Sequence, residues 1–179
     1  MSSARDFSTS EVLRNGMVVT VRAVRADDRE RIRRAFAGLE RDSVYRRYLS
    51  FKKELSDRDI GRIDTMDFVN EVMLVASIAA ERDEVIIGTG RYIAHPRPDG
   101  IPTAEVAFTI EEDFQGIGLA GRLLGHLTAL ARQNGFKRLD AEVLAENKGM
   151  LKVFGRCGLP MVRRLNGEIV HIDLDLGTS

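Results

Sequence analysis

The sequence predicts an α/β (α+β) fold: a mixed, mostly antiparallel twisted sheet flanked by helices. Three observations carry this. Residues 71 to 110 hold three β-rich runs, EVMLVASIAA, EVIIGTGRYIA and AEVAFTI, separated by short turn-forming stretches. Leu119, Leu123, Leu124, Leu127 and Leu130 then repeat at helical spacing. Beyond them a strand (RLDAEVL), a helix (ENKGMLKVFGRCG) and two closing strands complete a layered pattern of sheet and helix.

The elements follow in order. The first ten residues, MSSARDFSTS, are small and polar and read as a flexible tail, leaving 11–179 as a single domain. EVLRNGMVVTVRAV places Asn15-Gly16 between apolar stretches, which predicts a two-residue hairpin. Asp27 and Asp28 open a helix whose Ile32, Phe36 and Leu39 keep helical spacing, and acids in a first turn favour the helix dipole. Asp42 or Ser43 caps a second short helix carrying Val44, Tyr45, Tyr48 and Leu49. Ser56 and Asp59 form a capping box for DRDIGRI, with aspartate in place of the usual glutamate. Residues 71 to 110 form an antiparallel meander. The leucine-striped helix stops at Asn134-Gly135, and Asn166-Gly167 joins the closing strands near MVRRL and EIVHIDLDL.

Composition narrows the function classes. The 27 basic and 27 acidic residues cancel, so no bulk field recruits nucleic acid or an anionic membrane. No apolar run approaches the ~20 residues of a membrane span. A single cysteine precludes an internal disulfide framework and fits a reducing cytoplasm. His95, His126 and His171 show no zinc spacing and Cys157 has no histidine motif beside it, so no metal is expected.

The most informative stretch is QGIGLAG, residues 115–121. Gly116, Gly118 and Gly121 satisfy G-x-G-x-x-G, and Asp140 follows after about 20 residues, as in a dinucleotide-binding βαβ unit. Against that reading, EEDFQ separates Ile110 from Gly116, and the motif follows an antiparallel meander. No Gly-Lys-Ser/Thr follows, which excludes a P-loop. Two readings remain. Either the turn's amides and a helix N-terminus bind a pyrophosphate, or a glycine-rich turn only starts a helix.

With its surroundings, the motif resembles the GNAT (GCN5-related N-acetyltransferase) superfamily, whose acetyl-CoA pyrophosphate motif reads Q/R-x-x-G-x-G/A. Here Gln115, Gly118 and Ala120 supply it, and LDAEVLAEN, ending at Asn147, resembles the family's next strand and helix start. The element order matches from about Val18 onward. AEVAFTIEEDFQGIGLAG and VYRRYL are similar, more narrowly, to the acetyltransferase domain of bacterial protein lysine acetyltransferases. Those enzymes often carry a regulatory or ligase-like domain, for which this chain has no room.

The resemblance implies an acetyl-CoA-dependent N-acetyltransferase acting on a primary amine, foremost a protein lysine. An acyl-CoA synthetase is the first partner to consider, because the resembling branch modifies an active-site lysine there. It implies that the backbone of Phe108, Thr109 and Ile110 pairs with the pantetheine arm like an added strand. Gln115 and the amides of Gly116, Ile117, Gly118, Leu119, Ala120 and Gly121 would hold the pyrophosphate. Asn147 and Arg156 match positions that contact CoA in the relatives. On the residues alone, Asn147 is equally a helix cap and Arg156 equally a solvated charge. Small-amine acetylation and a non-catalytic acyl-CoA-sensing module remain the alternatives.

A lysine amine has a pKa of ~10.4, so about one in a few thousand is neutral at pH 7 and a base is useful. Alternation along AEVAFTI places Val106, Phe108 and Ile110 on one face and Glu105, Ala107 and Thr109 on the other. Glu105 is either a surface glutamate at a strand start or, as the resemblance implies, the general base. Glu111, Glu112 and Asp113 are either a solvated loop or a cluster that attracts a cationic acceptor. Tyr45, Arg46, Arg47 and Tyr48 either line the acceptor side or pack a helix inward. The resemblance also marks departures: Phe154 stands where many relatives carry a tyrosine acid, and CGLP stands where Gly-Phe usually ends the helix.

Overall fold

A computed structural model describes residues 3–36 and 56–177. Its strands are β1 (Ser8–Val12), β2 (Val18–Ala23), β3 (Glu71–Ala79), β4 (Glu84–His95), β5 (Thr103–Ile110), β6 (Arg138–Leu144), β7 (Met161–Asn166) and β8 (Ile169–Asp175). Its helices are α1 (Asp28–Phe36), α2 (Asp57–Gly61), α3 (Leu119–Gln133) and α4 (Lys148–Gly155). The strands form one sheet in the order β1-β2-β3-β4-β5-β6-β8-β7. Every pairing is antiparallel except β5 with β6, the pair that α3 bridges as a crossover. The expected mixed, mostly antiparallel sheet is therefore present.

Helix α3 packs on β3, β4 and β5 through the predicted leucine stripe, and Leu119, Leu123, Leu124, Leu127 and Leu130 are all buried. Two glycines in β4 permit this close approach. A Cβ on Gly88 would lie 3.1 Å from Leu119, and one on Gly90 would lie 3.1 Å from Leu127. The helix end is tied down as well. Asn134 Nδ2 donates to the Tyr92 hydroxyl at 2.7 Å, and burial pushes that phenol up to about 12.

On the opposite face, α1 packs against β4, and Arg91 of β4 pairs with Asp59 of α2 at 2.8 Å. Ser56 and Asp59 form the expected capping box, their side chains and backbone amides bonding reciprocally. Asp28 does more than offset the dipole of α1. It is fully buried, and its carboxylate accepts from both terminal nitrogens of the buried Arg22 at 2.8 Å.

Three expectations are corrected. Residues 8–10 are not a loose tail but part of β1, with Ser8, Thr9 and Ser10 paired to Arg22, Val21 and Thr20. An edge strand exposes alternate residues to water, so a polar composition is compatible with full backbone pairing. Phe7 beside it packs at a tilt against the ring of His126 of α3, ring centroids 5.1 Å apart. The β1–β2 connection is a three-residue loop, Arg14 to Gly16, rather than two. Leu13 and Met17 still pair, through an amide-to-carbonyl bond of 2.8 Å, and Gly16 has φ 83°. A turn followed by a left-handed glycine closes a three-residue hairpin. At the other end, Asn166 belongs to β7, and Gly167 and Glu168 make the turn. The second short helix expected near residues 42–50, with Tyr45, Arg46, Arg47 and Tyr48, lies outside the described residues.

Candidate active site

The parallel β5–β6 ladder is short. Thr103, Ala104 and Glu105 pair with Arg138, Leu139 and Asp140, and there the pairing stops. β5 continues to Ile110 and β6 to Leu144, so the two strands part beyond Glu105 and Asp140. The unpaired edge of β5 can take an extended ligand as a substitute strand.

A cavity of about 860 Å³ is walled by Phe108 and Ile110 of β5, the glycine turn, the start of α3, and Asn147, Met150 and Val153 from α4 and its cap. Gly116 and Gly118 have φ of 78° and 95°, a region closed to most side chains. Gly118 is the N-cap of α3 and offers no side-chain bond, so the first helical amides are left to another acceptor. Gln115 braces the turn, its Nε2 donating to the Ile110 carbonyl at 3.2 Å. Asn147 caps α4, accepting from the Met150 amide at 3.2 Å, and also lines the cavity. The two readings of Asn147 are thus compatible.

Most of the expected ligand-binding residues converge here: Phe108, Ile110, Gln115, Gly116, Gly118, Leu119, Ala120, Gly121, Asn147 and Arg156 all line the wall. Thr109 and Ile117 do not. Thr109 is buried on the other face of β5, and Ile117 faces the β1–β2 loop, where its carbonyl accepts from the Arg14 amide at 3.2 Å. Sequence reasoning missed Arg14, Arg132 and Lys152, which also line the cavity. Lys152 lies four residues before Arg156, one helical turn, which was a legible signal. Arg14 had none, because its position depends on how the hairpin loop folds back.

Phe154 is buried and meets Phe108 edge-on, ring centroids 6.3 Å apart. It contributes packing, and no hydroxyl stands at that position.

Glu105 sits elsewhere. It is partly buried on the opposite face of β5, beside a polar cavity of about 210 Å³. Here two of the three scattered histidines, His95 and His171, come together. His95, 45 residues away from Asp140, places Nε2 2.9 Å from its carboxylate. A side-chain ligand atom from each of His95, Glu105 and Asp140 lies within 4.8 Å of the other two, a spacing that could hold a cation. Arg97 Nη1 bridges Asp140 and Asp173 at 3.2 and 3.3 Å. His171 lines the same cavity, whereas His126 pairs with Glu11 at 2.6 Å on α3.

Among the described residues, no helix is long and apolar enough to cross a membrane. An acetyltransferase of Pseudomonas aeruginosa is 31% identical over 140 residues, which cover 78% of this chain and 74% of that protein. Acetyltransferase Pat of Mycolicibacterium smegmatis is 28% identical over 160 residues, covering 88% of this chain and 46% of that protein. The chain thus spans about half the length of that relative. The GNAT domain of S. lividans PAT superposes with a TM-score of 0.78 at 35% identity, over 94% of this chain and 96% of that one. A Salmonella typhimurium protein solved with its cofactor acetyl-CoA shares the fold, with a TM-score of 0.65 at 15% identity over 90% of this chain and 95% of that one. A profile of the acetyltransferase (GNAT) family matches residues 41–159. With that match, the glycine turn at the head of α3 and the parting of β5 from β6, the chain belongs to the acetyltransferase (GNAT) family and is an acetyltransferase.

Proposed function

We propose that this acetyltransferase moves the acetyl group of acetyl-CoA to the lysine side chain of a protein, with Glu105 as general base. The observation that carries the reading is the position of Glu105 at the last β5–β6 pair before the strands part. The cofactor cavity opens on one side of that fork and the polar cavity on the other. A thioester laid along the free edge of β5 would meet an amine arriving from the polar side. The amine nitrogen attacks the thioester carbonyl and Glu105 takes its proton. The tetrahedral intermediate then collapses with loss of the CoA thiolate. Phe154 has no proton to give, so the thiolate leaves unassisted or is protonated through water, and Glu105 returns its proton to solvent. No metal takes part in this scheme.

Pyrophosphate binding rests on the turn. Gly118→Asp adds a carboxylate where amides face the ligand, at a φ of 95° that strains any side chain. CoA affinity is expected to fall at least tenfold, about 1.4 kcal/mol, in a protein that still folds. Unchanged affinity by calorimetry would return the turn to a purely structural role.

Carboxylates around the polar cavity attract any amine, so the acceptor is decided by contacts beyond the amine. A folded protein substrate, an acyl-CoA synthetase first, should exceed free lysine in kcat/KM and lose the advantage when unfolded. The test incubates a cytoplasmic lysate with radiolabelled acetyl-CoA and identifies labelled proteins by mass spectrometry. Label only in small amines, with equal efficiency on free polyamines, would make the acceptor a metabolite. We place this activity in the cytoplasm, consistent with the single free cysteine.

A further inference from the structure

The cofactor cavity is strongly asymmetric in charge. Among the described residues, Arg14, Arg132, Lys152 and Arg156 line it and no aspartate or glutamate does, although the whole chain carries no net charge. A ligand with several phosphate charges matches such a wall. Three of these cations belong to α3 and to α4 with its C-cap, and Arg132 is engaged with the Leu176 carbonyl at 2.8 Å. Arg14 is different. It comes from the β1–β2 loop, just over a hundred residues earlier in the chain, and it lies against the glycine turn.

The loop is fixed there. The Arg14 amide donates to the Ile117 carbonyl at 3.2 Å, joining the hairpin tip to the turn itself. The side chain follows the same direction: a Cβ built on Gly118 would lie 3.3 Å from Arg14 Nε and 3.7 Å from Nη2. The guanidinium therefore rests on the residue whose missing side chain opens the first turn of α3. Among the described residues no carboxylate pairs with Arg14, whereas the nearby Arg122 faces Glu11 at 3.5 Å. An exposed arginine held without a counter-ion beside uncapped helical amides is poised for an anion. Its planar fork suits two phosphate oxygens at once.

We propose that Arg14 is a phosphate clamp, closing over the pyrophosphate of CoA from the β1–β2 loop while the turn's amides hold it from below. The clamp rests on the acetyl-CoA reading above and adds a ligand from an element outside the glycine turn. It also assigns the three-residue hairpin loop a purpose. The extra residue carries the loop tip to the Ile117 carbonyl, so the register of an edge hairpin contributes to cofactor affinity.

Calorimetry on the whole chain tests it with CoA, 3′-dephospho-CoA and pantetheine, comparing the native protein with Arg14→Gln and Arg14→Lys. Arg14→Gln should weaken CoA and 3′-dephospho-CoA alike, by about tenfold, and leave pantetheine unchanged. Arg14→Lys should recover part of the loss, because it keeps the charge but not the fork. A loss seen with CoA but absent with 3′-dephospho-CoA would move Arg14 to the 3′-phosphate and overturn the pyrophosphate clamp. An equal loss with pantetheine, or no loss with any ligand, would overturn it too. A thermal melt of each variant confirms folding, and Arg14→Lys keeps the test open if Arg14→Gln does not fold. Failure of the native chain itself to bind CoA would defeat the acetyl-CoA reading instead, so the two failures are distinguishable.

Discussion

Glu105→Gln is expected to lower turnover by about 10²-fold or more at pH 7 while CoA still binds. The substitution keeps the side chain's shape and leaves the cofactor cavity untouched, since Glu105 is not in its wall. What it removes is a group able to accept the amine proton. At pH 7 nearly every lysine arrives as an ammonium, with a pKa of ~10.4, so a variant without a base must wait for the rare neutral amine. Each unit of pH raises that neutral fraction about tenfold, so the deficit should shrink steadily as pH rises. A packing role would produce no such convergence, because lost packing is indifferent to the protonation of the substrate. Initial rates of thiol release across a range of pH, with CoA affinity measured in parallel, decide the matter. Near-normal turnover at pH 7, or a deficit independent of pH, would remove Glu105 from the chemistry.

The second large effect is on stability. Asp28→Ala should destabilise the protein by about 3–5 kcal/mol, because it leaves the Arg22 guanidinium buried with its best partner gone. Arg22 is 2% exposed and Asp28 0%, so water cannot replace the lost bonds. The Asp28 carboxylate accepts from Arg22 twice, from the Arg25 amide at 2.7 Å and from Arg31 at 3.2 Å. Glu84, which also accepts from Arg22, remains but cannot cover both sides of the guanidinium. Burial by itself raises the Asp28 pKa. The hydrogen bonds and charge of Arg22, with the Arg25 amide, outweigh it and hold the carboxyl below its ordinary value. Because the folded pKa is depressed, this contribution is fully present above the unfolded value of ~3.9 and is lost as pH falls through the folded one. Urea unfolding should show the native protein weakening below about pH 4, and Asp28→Ala weakened at pH 7 with a shallower further decline in acid. A variant as stable as the native protein at pH 7 would mean that the network is energetically neutral.

The local elements were legible because their determinants are local. The leucine stripe, the Ser56–Asp59 capping box and the three β-rich runs each set a backbone conformation or a buried face within a few residues. The QGIGLAG turn was legible for the same reason, since positive φ at Gly116 and Gly118 is a property of glycine itself. With the family resemblance, these features were enough to name the fold and an acetyltransferase.

The tertiary structure decided what pairs across long stretches of chain. Nothing in EIVHIDLDL says that β8 inserts between β6 and β7, and nothing in MSSARDFSTS says that an edge strand begins there. His95 and Asp140 look unrelated until β4, β5 and β6 lie side by side, and Arg14 looks like a hairpin residue until its loop meets Ile117. Asp27 and Asp28 were equivalent acids at a helix start, yet only Asp28 is buried against Arg22. Local periodicity fixes conformation and face, whereas register, strand order and the partner of a buried charge follow from packing and desolvation summed over the whole fold. The sequence by itself thus determined most of the elements, the glycine turn and the family. The parting of β5 from β6 at Glu105, and the charges gathered on either side of it, came only from the folded sheet, because both depend on residues far apart in the chain.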